Sequence, residues 1–211
     1  MDTKRGLFIV FEGIDGCGKS TQVWNFARHL TNLSKYHHVL LTRNPYKSRE
    51  IRAILRLTES AQTRAELLAK LFIQDRIEHV NDLVLPHINK GHHVVCDRYK
   101  LSTLAYQSAQ GLPIQKLIDL HIGLPVPDIT FIIDTPTEIA RQRMNLDNVR
   151  DKNKEHKFEA DINFQNQVRK NYLLAKNHLS EEHIKIIDGT KSINEIESQV
   201  KSEFDSLMLR L

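Results

Sequence analysis

Leu7-Phe8-Ile9-Val10-Phe11-Glu12-Gly13-Ile14-Asp15-Gly16-Cys17-Gly18-Lys19-Ser20 opens with an unbroken apolar run of strand length and closes on the pattern G-x-x-x-x-G-K-[ST]. The glycines let the backbone curl so that successive N–H groups point inward at phosphate oxygens. Lys19 adds a mobile cation for the outer phosphates, and the Ser20 hydroxyl can ligate Mg²⁺. Val23, Phe26, Ala27 and Leu30 follow at helical spacing, so a helix over 21–33 turns its N-terminal dipole toward the same phosphates. Strand, glycine turn and helix in that order predict a nucleoside triphosphate site made of Gly13, Ile14, Asp15, Gly16, Cys17, Gly18, Lys19, Ser20 and Thr21. Cys17 has two readings: a thiol made reactive by loop amides and Lys19, or a small side chain filling the loop.

Working outward, apolar runs at 7–12, 38–42, 93–97, 129–134 and 184–188 alternate with helical patterns. Those patterns fall at 21–33, 50–58, 63–89, 100–110, 113–121, 137–145, 159–180 and 192–208. The alternation predicts an α/β fold, a five-stranded parallel sheet flanked by helices, with its ligand crevice at the carboxyl ends of the strands. No Pro/Gly/Ser-rich stretch divides the 211 residues, so a single domain is expected. The longest apolar candidate for a membrane span, 67–88, contains Lys70, Asp75, Arg76, Glu78 and Asp82, which argues against insertion. With no signal pattern ahead of the first strand and only Cys17 and Cys96 as thiols, a cytoplasmic protein is expected.

The formal net charge of +4 is spread along the chain except for a dense patch at 150–157. A polyanionic small molecule accounts for that excess without a nucleic-acid partner. Eleven histidines are present, but no His-x-x-x-His pair lies on a predicted helix, so solvated surface histidines are expected rather than metal ligands.

Two further segments carry chemistry. Val94-Val95-Cys96-Asp97-Arg98-Tyr99 is a strand ending in an acid, a base and an aromatic. Beside the first strand, Arg98 would reach a second phosphate, and Asp97 would position it or the Mg²⁺ shell. The apolar stripe Leu68, Phe72, Val80, Val84 and Ile88 is interrupted by Asp75 and Arg76. Buried unpaired charge is costly, so that face looks either into a cavity or onto a satisfied surface ion pair. Phe72 and Arg76 together, a stacking ring and a planar donor, suit a nucleobase.

Residues 8–22, Phe72-Ile73-Gln74-Asp75-Arg76, Asp97-Arg98-Tyr99 and Ser102-Thr103-Leu104-Ala105-Tyr106-Gln107 together resemble the thymidylate kinases. Gly123-Leu124-Pro125-Val126-Pro127-Asp128 and Phe158-Glu159 extend the resemblance. It implies a P-loop nucleoside monophosphate kinase fold with a short lid at about 146–158, and a homodimer joining ATP and dTMP across Mg²⁺. It assigns Lys19 to the ATP phosphates, Ser20 to the metal, with Asp97 beside it, and Asp15 to the dTMP 3′-hydroxyl. Phe72 would stack on thymine, Arg76 would address its carbonyl edge, and Thr103 would lie near it. Tyr106 would crowd the sugar 2′ position, Arg98 would grip the acceptor phosphate with support from Asp97, and Glu159 would face the acceptor from the lid.

Three departures from that family pattern stand out. Thr42-Arg43-Asn44-Pro45-Tyr46-Lys47 replaces a Thr-Arg-Glu-Pro-Gly segment, leaving Lys47 as a point charge where other members carry an arginine toward the acceptor phosphate. Gly16 stands where some members carry a catalytic arginine, and Lys157 where others have a lid arginine. The missing cation is therefore sought in Arg150, Arg143 and Lys157. A deoxynucleoside kinase is the rival enzyme reading. A GTP switch is disfavoured because Asn153-Lys154-Glu155-His156 lacks the final Asp of the guanine-reading pattern, and no basic-aromatic strip suggests a nucleic-acid motor.

Overall fold

The computed structural model describes residues 5–47, 49–56, 64–146 and 161–209. Its sheet holds β1 (Phe8–Glu12), β2 (Val39–Arg43), β3 (His93–Asp97), β4 (Ile129–Asp134) and β5 (Ile184–Asp188) in the order β2-β3-β1-β4-β5. All neighbouring strands are parallel. The predicted α/β class and all five strands are therefore present, with β2 displaced by one residue from 38–42. Because β1 lies between β3 and β4, the chain reverses its direction of winding there, and the crevice opens above the carboxyl end of β1.

Every residue of β1 is buried, and because both of its faces are covered, Phe8 to Phe11 read as a continuous apolar run. Phe8 and Val10 join Val84, Ile88 and Val94 on one face. Ile9 and Phe11 join Phe26, Phe131 and Phe204 on the other. This two-sided packing anchors the strand from which the phosphate loop springs.

The helices are α1 (Lys19–Leu33), α2 (Arg49–Arg56), α3 (Ala65–His79), α4 (Leu85–Asn89), α5 (Lys100–Ala109), α6 (Ile114–Asp119), α7 (Thr137–Leu146), α8 (Ile162–His178) and α9 (Ile193–Met208). α1 starts two residues before the predicted 21, because Gly18 at φ 96° completes the turn and Lys19 can enter the helix at once. The single helix predicted over 63–89 is instead α3, a π-helical turn at Val80–Val84, and α4. Pro86 lacks an N–H and its ring would press on the preceding turn of a regular helix, so the wider turn absorbs it. α8 begins where the Asp161 side chain accepts from Phe164 N at 3.0 Å, and a Ser192/Glu195 capping box starts α9. Of the expected lid over 146–158, all but Leu146 lies outside the described residues.

Candidate active site

The turn after β1 contains three glycines at positive φ, Gly13, Gly16 and Gly18. A Cβ on Gly16 would stand 2.3 Å from the Ala140 carbonyl oxygen of α7, so backbone packing itself excludes a side chain there. Lys19, buried on the first turn of α1, donates to Ile14 O at 2.9 Å and is held inside the loop. A cavity of about 540 Å³ lies above, bordered by the loop, Thr21, Arg143 and Lys191. Arg143 donates to Gly189 O at 2.8 Å and so ties α7 to the turn after β5. Cys17 is fully buried and its Sγ accepts from Lys19 Nζ at 3.7 Å, so the side chain fills the interior of the loop against the lysine.

Two carboxylates, one ending β3 and one in the phosphate loop, divide the work. Asp97 ends β3; its Oδ2 accepts from the Ser20 hydroxyl at 3.3 Å, and its Oδ1 is buried without a hydrogen-bond partner among the described residues. Asp15 instead takes Arg98 Nη2 at 2.7 Å and the Tyr106 hydroxyl at 3.0 Å. Burial opposes ionisation of Asp15, but the Arg98 and Lys19 charges outweigh it and hold the carboxyl well below its usual range. Arg98 thus rests on Asp15, not on Asp97 as expected. Its second terminal nitrogen donates to the hydroxyls of Ser102 (3.1 Å) and Tyr172 (3.0 Å).

Beneath Arg98 lies Glu12, which the sequence reading passed over. It is completely buried at the end of β1 and accepts from Tyr99 N at 2.7 Å, Ser102 N at 3.1 Å and Ser102 Oγ at 2.7 Å. Those amides begin α5, so Glu12 caps the helix that follows Arg98. Burial raises its carboxyl above the ordinary value despite these donors. An acid at the end of an apolar strand, directly before the glycine loop, was the available signal.

A second cavity, of about 350 Å³, is lined by Phe72, Arg76, Thr103 and Tyr106 among others. Arg76 is 1 % exposed and donates to Asn44 Oδ1 (3.2 Å), Thr103 Oγ1 (3.1 Å), Tyr99 O (2.9 Å) and His121 Nε2 (2.7 Å). Its helical neighbour Asp75 does not line the cavity; it accepts from the Lys47 backbone N–H at 2.8 Å and from that of Tyr46, holding the segment after β2. Lys47 pairs its ammonium with Asp82 at 2.5 Å on the surface and is not among the residues lining the cavity. Arg43 and Arg52, not singled out from sequence, line the cavity instead.

Two histidines depart from the expected surface role. His79, with no exposed surface, contacts Thr42 Oγ1 at 2.7 Å and Asn44 Nδ2 at 2.9 Å. His121 is buried against Arg76. Burial pushes His79 down to about 4, and burial together with Arg76 pushes His121 to about 3, so both are neutral. Among the described residues no cluster of three or more His, Cys, Asp or Glu side chains is disposed to hold a metal ion.

The two cavities share Asp15, Arg43 and Arg98. A sequence model of the family described as thymidylate kinase matches residues 11–200. The chain belongs to the thymidylate kinase family. It is similar to a probable thymidylate kinase of Pyrococcus horikoshii, 35 % identical over 202 residues that cover 93 % of this chain and 94 % of that one. A thymidylate kinase of Wolbachia pipientis is 40 % identical over 172 residues, covering 79 % and 83 %. One from Desulfotalea psychrophila is 34 % identical over 212 residues, covering 99 % and 98 %. Of the residues to which the family pattern assigns roles, Arg150, Lys157 and Glu159 lie outside the described residues.

Proposed function

We propose that this protein transfers the terminal phosphoryl group of ATP to the phosphate of dTMP, yielding dTDP and ADP. The observation that carries the reading is the pair of cavities, one on the phosphate loop and one floored by Phe72 and Arg76, meeting over Asp15, Arg43 and Arg98. Membership of the thymidylate kinase family supports the choice of acceptor. A metal-bound donor fits as well: the Ser20 hydroxyl and the orphaned Asp97 oxygen form a hard oxygen set suited to Mg²⁺. The metal would neutralise phosphate charge when bound with ATP.

The chain's own groups then act by positioning. Lys19 and the loop amides hold the donor phosphates in line with the acceptor. Ionised Asp15 accepts from a sugar hydroxyl, Phe72 stacks on the base, and Arg76 with Thr103 forms a rigid polar floor beneath it. Tyr106, whose hydroxyl is spent on Asp15, crowds the sugar face. By the family pattern, Arg150 and Lys157 would act on the phosphates and Glu159 on the acceptor. The reading extends to a single catalytic domain acting as a cytoplasmic homodimer. Among the described residues no helix is long and apolar enough to cross a membrane.

Assaying dTMP and thymidine side by side with ATP and Mg²⁺ tests the proposal against the deoxynucleoside kinase rival. dTMP should be the better acceptor, and Lys19→Ala should lower kcat by about a hundredfold or more, as loss of one electrostatic stabiliser does. Faster turnover of thymidine would overturn the reading.

A further inference from the structure

We propose that Arg43 is a catalytic residue of this transfer, the cation that spans acceptor and donor phosphates while the phosphoryl group is between them; the inference rests on the kinase reading above. Among the described residues, three side chains border both cavities, Asp15, Arg43 and Arg98, and two of these are cations. Arg98 is committed: its two terminal nitrogens are taken by Asp15, Ser102 and Tyr172. Lys19 is turned back onto the loop carbonyl of Ile14. Arg143 is bound to Gly189 O and borders only the donor cavity. Gly16 cannot be replaced by a cation against the Ala140 carbonyl.

Arg43 differs from all of these. It is the last residue of β2, directly opposite Asp97 in the parallel register, and its backbone is fixed there because Asn44 N donates to Asp97 O at 3.0 Å. The side chain is 71 % exposed, and its guanidinium stands 3.7 Å from Asp97 Oδ2, an ion pair beyond hydrogen-bond distance. Asp97 is buried, but the guanidinium is exposed and the contact is too long for a hydrogen bond, so phosphoryl oxygens can replace the carboxylate as its partner. Asp97 thereby keeps the guanidinium at the junction until the phosphates arrive. The planar fork can donate to oxygens of two phosphates together, which an ammonium does less directionally.

In the step itself a bond forms between a dTMP phosphate oxygen and the terminal phosphorus of ATP. The bond from that phosphorus to the bridging oxygen breaks, and its electron pair stays on ADP. Arg43 neither gains nor loses a proton.

The test uses Arg43→Met, which keeps the stem, and Arg43→Lys, which keeps a point charge. Alongside kcat, the equilibrium Kd of dTMP and of a non-hydrolysable ATP analogue with Mg²⁺ is measured for each. For Arg43→Met, kcat should fall by about a hundredfold while both Kd values stay within about threefold, the signature of a contact made in the transition state. Arg43→Lys should lie about tenfold below the parent and decides the matter alone if Arg43→Met does not fold. The proposal is overturned if kcat stays within about threefold in both variants, or if the dTMP Kd weakens while kcat is kept, since the residue then serves binding only. A parent protein without activity on dTMP would instead remove the kinase reading itself.

Discussion

Glu12 gives up the solvation of a carboxyl group to hold two backbone amides and a hydroxyl at the start of α5. What it secures is Arg98, a non-glycine residue at φ 72°, a conformation that costs about 1–3 kcal/mol unless its surroundings impose it. Glu12→Ala leaves those amides buried and unpaired, at about 1–3 kcal/mol each. Urea unfolding should show that loss. Glu12→Gln retains an acceptor oxygen for the α5 amides and should stay within about 1 kcal/mol of the parent. Equal destabilisation by both substitutions would mean that the negative charge, not the acceptor, is what α5 needs. The sequence marked the neighbours of Glu12 but not Glu12 itself, since an acid ending an apolar strand looks the same whether it caps a helix or meets water. Arg43 escaped notice for a related reason: only the pairing of β2 with β3 brings it opposite Asp97.

At the scale of elements, β1, its glycine turn and α1 were legible because one short stretch holds all the determinants. The helical stripe through 63–89 was also legible, while its break was not, because a proline inside a periodic pattern does not reveal whether the helix kinks, stops or widens. The interruption at Asp75 and Arg76 had been read as one face, yet the two side chains serve different elements. Arg76 builds the cavity floor; Asp75 restrains the segment that follows Arg43 out of β2. Asp75→Ala should therefore loosen that segment and raise the KM for dTMP by about tenfold, as expected when positioning contacts are lost, with ATP affinity unchanged. A selective rise in the KM for ATP would place the effect of Asp75 on the wrong side of the crevice.

For the whole molecule, the buried neutral histidines link folding to pH. Below their ordinary value of 6.5, and down to about 4 for His79 and about 3 for His121, the unfolded chain binds protons that the native chain refuses. Stability therefore falls on acidification through that window, by at most about 1.4 kcal/mol per pH unit for each histidine. Glu12, raised in the fold, works in the opposite direction near the carboxylate range. Urea midpoints at pH 7 and pH 5 should show a net loss at the lower pH, and His121→Gln should flatten the dependence; a midpoint rising toward pH 5 would contradict the neutral assignments. The α/β layering could be read ahead of the structure because strand and helix periods differ, whereas the burial of these two histidines depends on partners dozens of residues away.

The approach of α7 to the phosphate loop bears on what this chain can become. Gly16 sits at φ 78° under the Ala140 carbonyl, so Gly16→Arg brings left-handed strain of about 1–3 kcal/mol together with a backbone collision. Thermal unfolding should place its Tm well below the parent's, with no gain in kcat; a parent-like Tm would show that α7 yields freely. If α7 does not yield, the history of substitutions has a required order. A lineage descending from this chain could acquire a loop arginine only after α7 had shifted, and each earlier attempt would be selected against for a reason located not in the loop but in one carbonyl oxygen above it.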